Sequence, residues 1–167
     1  MKAIINLFWQ ICLLRQSPAR VPAEGTLLAL VVLGNLACSI GVSMAFDQNP
    51  GLLTVTNSIL VGQATTALLV LGALTARGLG ERFVTTITAW FGCDLIITAC
   101  FAVLLPIGSV LGQFALSLGL LGFLIWSVTV AGHILHKALT VQLPIGIGVA
   151  MGISVVSALA AQVTIGA

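Results

Sequence analysis

The sequence predicts an all-α membrane protein with five transmembrane helices, preceded by a short amphipathic interfacial helix. Three observations predict it. Of 167 residues, 59% are hydrophobic and only 6% charged, against about 25% charged in soluble domains, and the mean hydropathy is +1.22. Behind a short N-terminal stretch the apolar residues fall into five segments, each long enough to cross about 30 Å of hydrocarbon at about 1.5 Å per residue. All six Lys and Arg residues lie in regions that five crossings bring to one side of a membrane.

The opening MKAIINLFWQICLLRQSPAR carries Lys2, Asn6 and Gln10 at every fourth position. These make one polar stripe on a helix otherwise covered by Ile4, Ile5, Leu7, Phe8, Trp9, Ile11 and Leu14, the pattern of a helix lying in the membrane interface. It is too short to span, and no small-x-small cleavage site follows directly. Residues 1–25 therefore read as a cytoplasmic helix and linker, and 26–167 as the transmembrane domain.

The predicted spans are Thr26–Phe46, ended by DQNP at Asp47–Pro50, and Leu52–Ala76, ended by RGLGER at Arg77–Arg82. The third is Phe83–Leu105, ended by Pro106 and the turn PIGS. The fourth, about Ser109–Gly132, runs into HILHKAL, and the fifth covers about Pro144–Ile165. Lys2, Arg15 and Arg20 precede the first span, Arg77 and Arg82 join the second to the third, and Lys137 joins the fourth to the fifth. The opposite side carries no Lys or Arg. The N-terminus is expected in the cytoplasm and the C-terminus across the membrane, in the periplasm of a bacterial inner (plasma) membrane.

Asp94 stands midway between Phe83 and Leu105, where a charge is least welcome. Asn35 and Gln63 stand near the middles of their own spans, so three polar side chains on three helices share nearly one depth; Thr65, Thr66 and Thr98 extend the group. Trp90 lies one turn before Asp94 on the same face. Intramembrane acids commonly mark transport paths, and low dielectric favours the neutral acid. The favoured structural reading has protonated Asp94 donating a hydrogen bond to Asn35 or Gln63 and tying helices together, at about 0.6–2 kcal/mol per pair. For Trp90, packing is favoured over a bond to Asp94.

His133 and His136, spaced i, i+3, could hold a metal or shuttle protons, with Glu81 a conceivable third group. The competing reading puts them with Lys137 at a cytoplasmic helix end, where the dipole favours positive groups. Arg77 and Arg82 complete the basic face. No metal and no cofactor is expected. Cys12, Cys38, Cys93 and Cys100 make no CxxC pair and read as small packing residues. Trp9 and Trp126 read as interfacial anchors. Glycines recur at helical spacing: Gly34 and Gly41 flanking Cys38, then Gly108 and Gly112, Gly119 and Gly122, and Gly148 and Gly152. Internal packing explains most of them, with a face left for a partner.

No nucleophile elbow, HExxH, phosphate loop or paired carboxylate occurs, so an enzyme is not expected, and six scattered basic residues make no nucleic-acid surface. The segments FWQICLLRQSPARVPA (Phe8–Ala23) and FLIWSVTVAGHILHKAL (Phe123–Leu139) resemble a group of small uncharacterised proteobacterial inner-membrane proteins, loosely of the Yip1-type five-helix membrane fold. The resemblance implies fold and location. The GTPase binding of eukaryotic Yip1-type proteins uses a long cytoplasmic N-terminal region, which the short stretch before the first span does not match. The leading functional expectation is a non-enzymatic scaffold, assembly factor or accessory subunit of a membrane complex, held in the bilayer and associating through small-residue faces. The alternative is a small proton- or ion-coupled transporter or channel built on the cluster around Asp94.

Overall fold

A helix satisfies its own backbone hydrogen bonds within one segment, which suits it to lipid, and every regular element among the described residues is helical. The computed structural model describes residues 2–46, 51–111 and 113–164. The α-helices are α1 (Lys2–Cys12), α2 (Gly25–Phe46), α3 (Leu52–Ala76), α4 (Phe83–Leu111), α5 (Gln113–Leu139) and α6 (Leu143–Val163), with single 3-10 turns at Pro18–Arg20 and Gly80–Arg82. Five of these, α2 to α6, are long and apolar enough to cross a membrane.

The bounds of α3 are those the sequence predicts. The predicted break at Pro106 is corrected: α4 runs through it to Leu111, and PIGS is helical. Proline costs a helix one backbone bond, a local loss, and α4 continues through it. The fourth span accordingly begins at Gln113 and continues through HILHKAL to Leu139. Pro144 sits in the first turn of α6, where its missing N–H is harmless. The predicted turn at Asp47–Pro50 and Gly112 lie outside the described residues.

The spans pack in the order α2, α4, α5, α6, α3, and α3 returns to touch α2 and, more lightly, α4. The α4 span is the most enclosed and the α2 span the least. Three helices end alike. Leu14, Gly78 and Thr140 have φ of 59°, 69° and 54°. In each case the next residue's N–H turns back, Arg15 to Gln10 (2.9 Å), Leu79 to Leu74 (2.8 Å) and Val141 to His136 (3.2 Å). This left-handed cap satisfies carbonyls that water cannot reach freely. Glycine adopts it without strain at one of the three ends only.

The glycine reading is also corrected. Gly41, Gly119, Gly122, Gly148 and Gly152 have nothing within 4 Å of an added Cβ, so these rows face outward; of those described, only Gly34 meets a neighbour, Leu95, at 3.2 Å. The close approaches occur elsewhere. A Cβ on Gly146 would meet the Gly132 carbonyl at 2.6 Å, and one on Gly132 would meet Ile147 Cα at 2.7 Å.

Helix α1 docks far along α4. Phe8, Ile11 and Cys12 are buried, and the Phe8 ring occupies a notch left by Gly92, whose Cβ would meet it at 2.5 Å. Gly92 lies about 14 Å along α4 from Phe83, at about 1.5 Å per residue. The Cys12 thiol faces the Cys93 carbonyl (3.7 Å), and the Cys93 thiol faces the Phe8 carbonyl (3.8 Å). Trp126 Nε1 donates to the Cys12 carbonyl (2.9 Å), and its ring meets Trp9 edge-on at 6.5 Å. Trp126 therefore holds α1, a contact that the anchor reading did not foresee. Ile5 and Trp9 face outward, at 60% and 40% exposure, so α1 presents apolar surface on both sides. Gly92→Val is expected to expel the Phe8 ring and raise labelling of Cys12 by a membrane-permeant maleimide about tenfold, as overpacking of about 1–3 kcal/mol implies; peptide mass spectrometry reads the site. Unchanged protection of Cys12 would count against this docking.

Candidate functional site: a polar cleft among the spans

The three predicted midplane residues meet. Gln63 Nε2 on α3 donates to Asn35 Oδ1 on α2 (2.8 Å), and Asn35 Nδ2 donates to Asp94 Oδ2 on α4 (2.8 Å). The same Asn35 Nδ2 reaches the Phe91 carbonyl at 3.4 Å. A carbonyl only accepts, so Phe91 fixes the amide of Asn35 with its nitrogen toward Asp94. The donor direction differs from the expectation: Asp94 receives the bond from Asn35. Asn35 is 2% exposed, while Asp94 and Gln63 are half-buried. Gln63 Oε1 is buried with no hydrogen-bond partner.

Asn35, Gln63 and Asp94 line one cleft of about 310 Å³, together with Trp90 and Phe91. Its remaining polar wall is hydroxylic: Ser39 on α2, Ser58 and Thr66 on α3, Ser127 on α5, and Ser154 and Ser157 on α6. Three of these stitch α3 to α6. Thr66 Oγ1 is 2.8 Å from Ser157 Oγ, and Ser58 Oγ donates to the Ala161 carbonyl (3.0 Å). A second, much smaller void of about 10 Å³ also touches Asp94, against Trp90, Cys93 and Ser127, about the volume one water needs. Asp94, Trp90 and Ser127 thus line both the cleft and a water-sized hole.

Of the residues expected to extend the group, Thr66 lines the cleft and Thr65 and Thr98 do not. Trp90 packs against the core and walls both spaces. The serines were not foreseen as a set. Their signal was hydroxyl spacing along single helices, Ser58 to Thr66 on α3 and Ser154 to Ser157 on α6, which continues a face already carrying Gln63 or small residues. No Lys, Arg or His lines the cleft.

No family model, curated protein or solved structure matches this chain. Chemistry must therefore be read from the side chains alone. The cleft presents acceptors: one carboxyl group, the free Gln63 oxygen and hydroxyls that both give and take.

The basic-end candidates are arranged differently. The His133 and His136 rings are 6.2 Å apart and tilted by 48°. His136 Nδ1 is bonded to the Val141 carbonyl, and His133 Nε2 is buried without a partner. Among the described residues no three His, Cys, Asp or Glu converge on one point. Arg82 and Lys137 come together in a crevice near Pro18, whereas Arg77, exposed beyond α3, does not join them.

Proposed function

We propose that this chain is a small transporter or channel that accepts a proton or a small, donor-rich cation in the cleft around Asp94. One observation carries the reading: an acid and a partnerless buried amide oxygen share a polar cleft, inside a helical bundle, that no basic residue lines. A ligand bringing N–H or O–H donors and positive charge would satisfy the Gln63 oxygen and neutralise the acid. An anion would find no counter-charge there. Intramembrane acids facing cavities are costly unless they serve such a pathway, and about 310 Å³ lies at the small end of ligand sites. The basic end is inferred to face the cytoplasm from its Lys and Arg residues. The likeness of Phe8–Ala23 and Phe123–Leu139 to proteobacterial inner-membrane proteins supports a bacterial inner membrane. No catalytic role is assigned to any residue.

Asp94→Asn in proteoliposomes is the test. Asparagine has the same shape and still accepts from Asn35 through its own carbonyl, so the fold should survive. A proton- or cation-dependent flux is expected to fall at least tenfold, with the unfolding midpoint within a degree or two. If flux is unchanged while the midpoint drops, Asp94 is a tie between helices and the transport reading fails.

The scaffold reading keeps one specific observation in its favour. Gly148 and Gly152 on α6 face outward with open space above them, as close approach by a helix of another protein requires. Recovery of the monomer alone, in a mild-detergent pull-down at native expression, would count heavily against it.

A further inference from the structure

We propose that the crevice between the Pro18–Arg20 turn, the start of α4 and the end of α5 binds a phosphate group. The phosphate belongs either to an anionic phospholipid head or to a soluble phosphate compound. This site is separate from the cleft around Asp94 and does not depend on its role.

The crevice has a volume of about 330 Å³ and is lined by Arg82 and Lys137, which are far apart in sequence, together with Thr85 and Thr86. Pro18 and Ala19 also line it, in a turn held by Ser17, whose hydroxyl accepts from the Ala19 N–H (3.4 Å). Arg82 Nη1 donates to the Ala138 carbonyl (3.5 Å), which holds the guanidinium across the end of α5 and leaves most of its donors free. The Thr86 hydroxyl is committed to the Arg82 carbonyl (2.8 Å), so Thr85 supplies the neutral donor. No acidic residue lines the crevice; Glu81, next to Arg82 in the chain, is outside it. Two cations held against one space repel each other unless an anion lies between them. A guanidinium fork and an ammonium point charge are the usual pair for phosphate oxygens. The position supports the same chemistry, because basic pockets between transmembrane helices at a membrane face take phospholipid heads.

The full chain, purified in mild detergent, is titrated with phosphatidylglycerol, with phosphatidylcholine and, separately, with inorganic phosphate, and bound species are counted by native mass spectrometry. The wild-type chain is expected to prefer phosphatidylglycerol to phosphatidylcholine. The R82Q/K137Q variant should lose about 25-fold of that preference, and K137Q alone about fivefold, following the usual effect per basic residue at a membrane face. K137Q keeps the test open should loss of the Arg82–Ala138 bond unsettle the fold. Arg77→Gln, at the same end but outside the crevice, should change nothing. Retention of phosphatidylglycerol that millimolar phosphate does not displace assigns the lipid head. Phosphate binding without lipid preference, lost in the same variants, assigns the soluble source. Equal losses in R77Q and K137Q, or no binding of either probe, would overturn the proposal.

Discussion

Gly146→Val is expected to cost about 3 kcal/mol and to lower the unfolding midpoint in detergent further than any outward-facing glycine substitution. The reason lies in what surrounds the missing Cβ. It would stand 2.6 Å from the Gly132 carbonyl oxygen and 2.8 Å from the His136 nitrogen. Both are main-chain atoms of α5, so no rotamer change relieves the clash and the helices must part. Overpacking of a filled core costs about 1–3 kcal/mol, and valine adds two methyls beyond the Cβ. Parting α6 from α5 also disturbs α6 against α3, where Ser157 and Thr66 meet at 2.8 Å. Gly148→Val supplies the contrast. It lies one residue pair further along the same helix with nothing within 4 Å, and a change of under about 0.5 kcal/mol is expected. Equal midpoints for the two variants would mean that the α5–α6 approach is not as close as described.

Asn35→Leu is expected to remove about 2 kcal/mol, measured in the same unfolding experiment. Asn35 is the one residue bonded to both Gln63 and Asp94, so its loss removes the side-chain bonds from α2 to α3 and to α4 at once. Each interhelical bond in lipid is worth about 0.6 kcal/mol on average and up to about 1.7. The substitution further leaves the Gln63 amide with neither of its polar atoms paired in the bundle. That second effect has its own signature. Adding Gln63→Leu to Asn35→Leu should restore part of the lost stability, because replacing both partners of a buried bond costs less than orphaning one. Strict additivity of the two substitutions would remove the network from the account.

The depth of the site was legible in the sequence, and its walls were not. Once Phe83, Leu52 and Thr26 are taken as span starts, Asp94, Gln63 and Asn35 fall at one level because each residue advances a straight helix by the same rise. Five spans followed from composition alone. Rotation about each axis did not follow, since helices that are apolar all round carry no periodic signal for their inner face. For that reason the paired glycines of α5 and α6 looked like packing surfaces and proved to face outward, while Gly132 and Gly146, with no regular spacing within either helix, bring the two main chains together. The serines were hidden likewise: a hydroxyl on a lipid-exposed face and one on a cleft wall look alike in sequence. Pro106 misled for another reason. Proline removes one backbone bond without obliging a helix to end, and α4 runs on through it to Leu111.

The seating of α1 places a constraint on how the chain is made. Cys12 contacts Cys93, 81 positions later, and receives the Trp126 hydrogen bond from 114 positions later. During synthesis α1 therefore emerges well before its seat exists. It must wait, apolar on both sides, until α4 and α5, the third and fourth spans, have been made and inserted. Ordering of α1 is thus a late event in biogenesis, and a bulky fusion before Lys2 should delay it without preventing insertion of the spans themselves. A chain stalled during translation between Cys93 and Trp126 would hold all of α1 and only part of its berth.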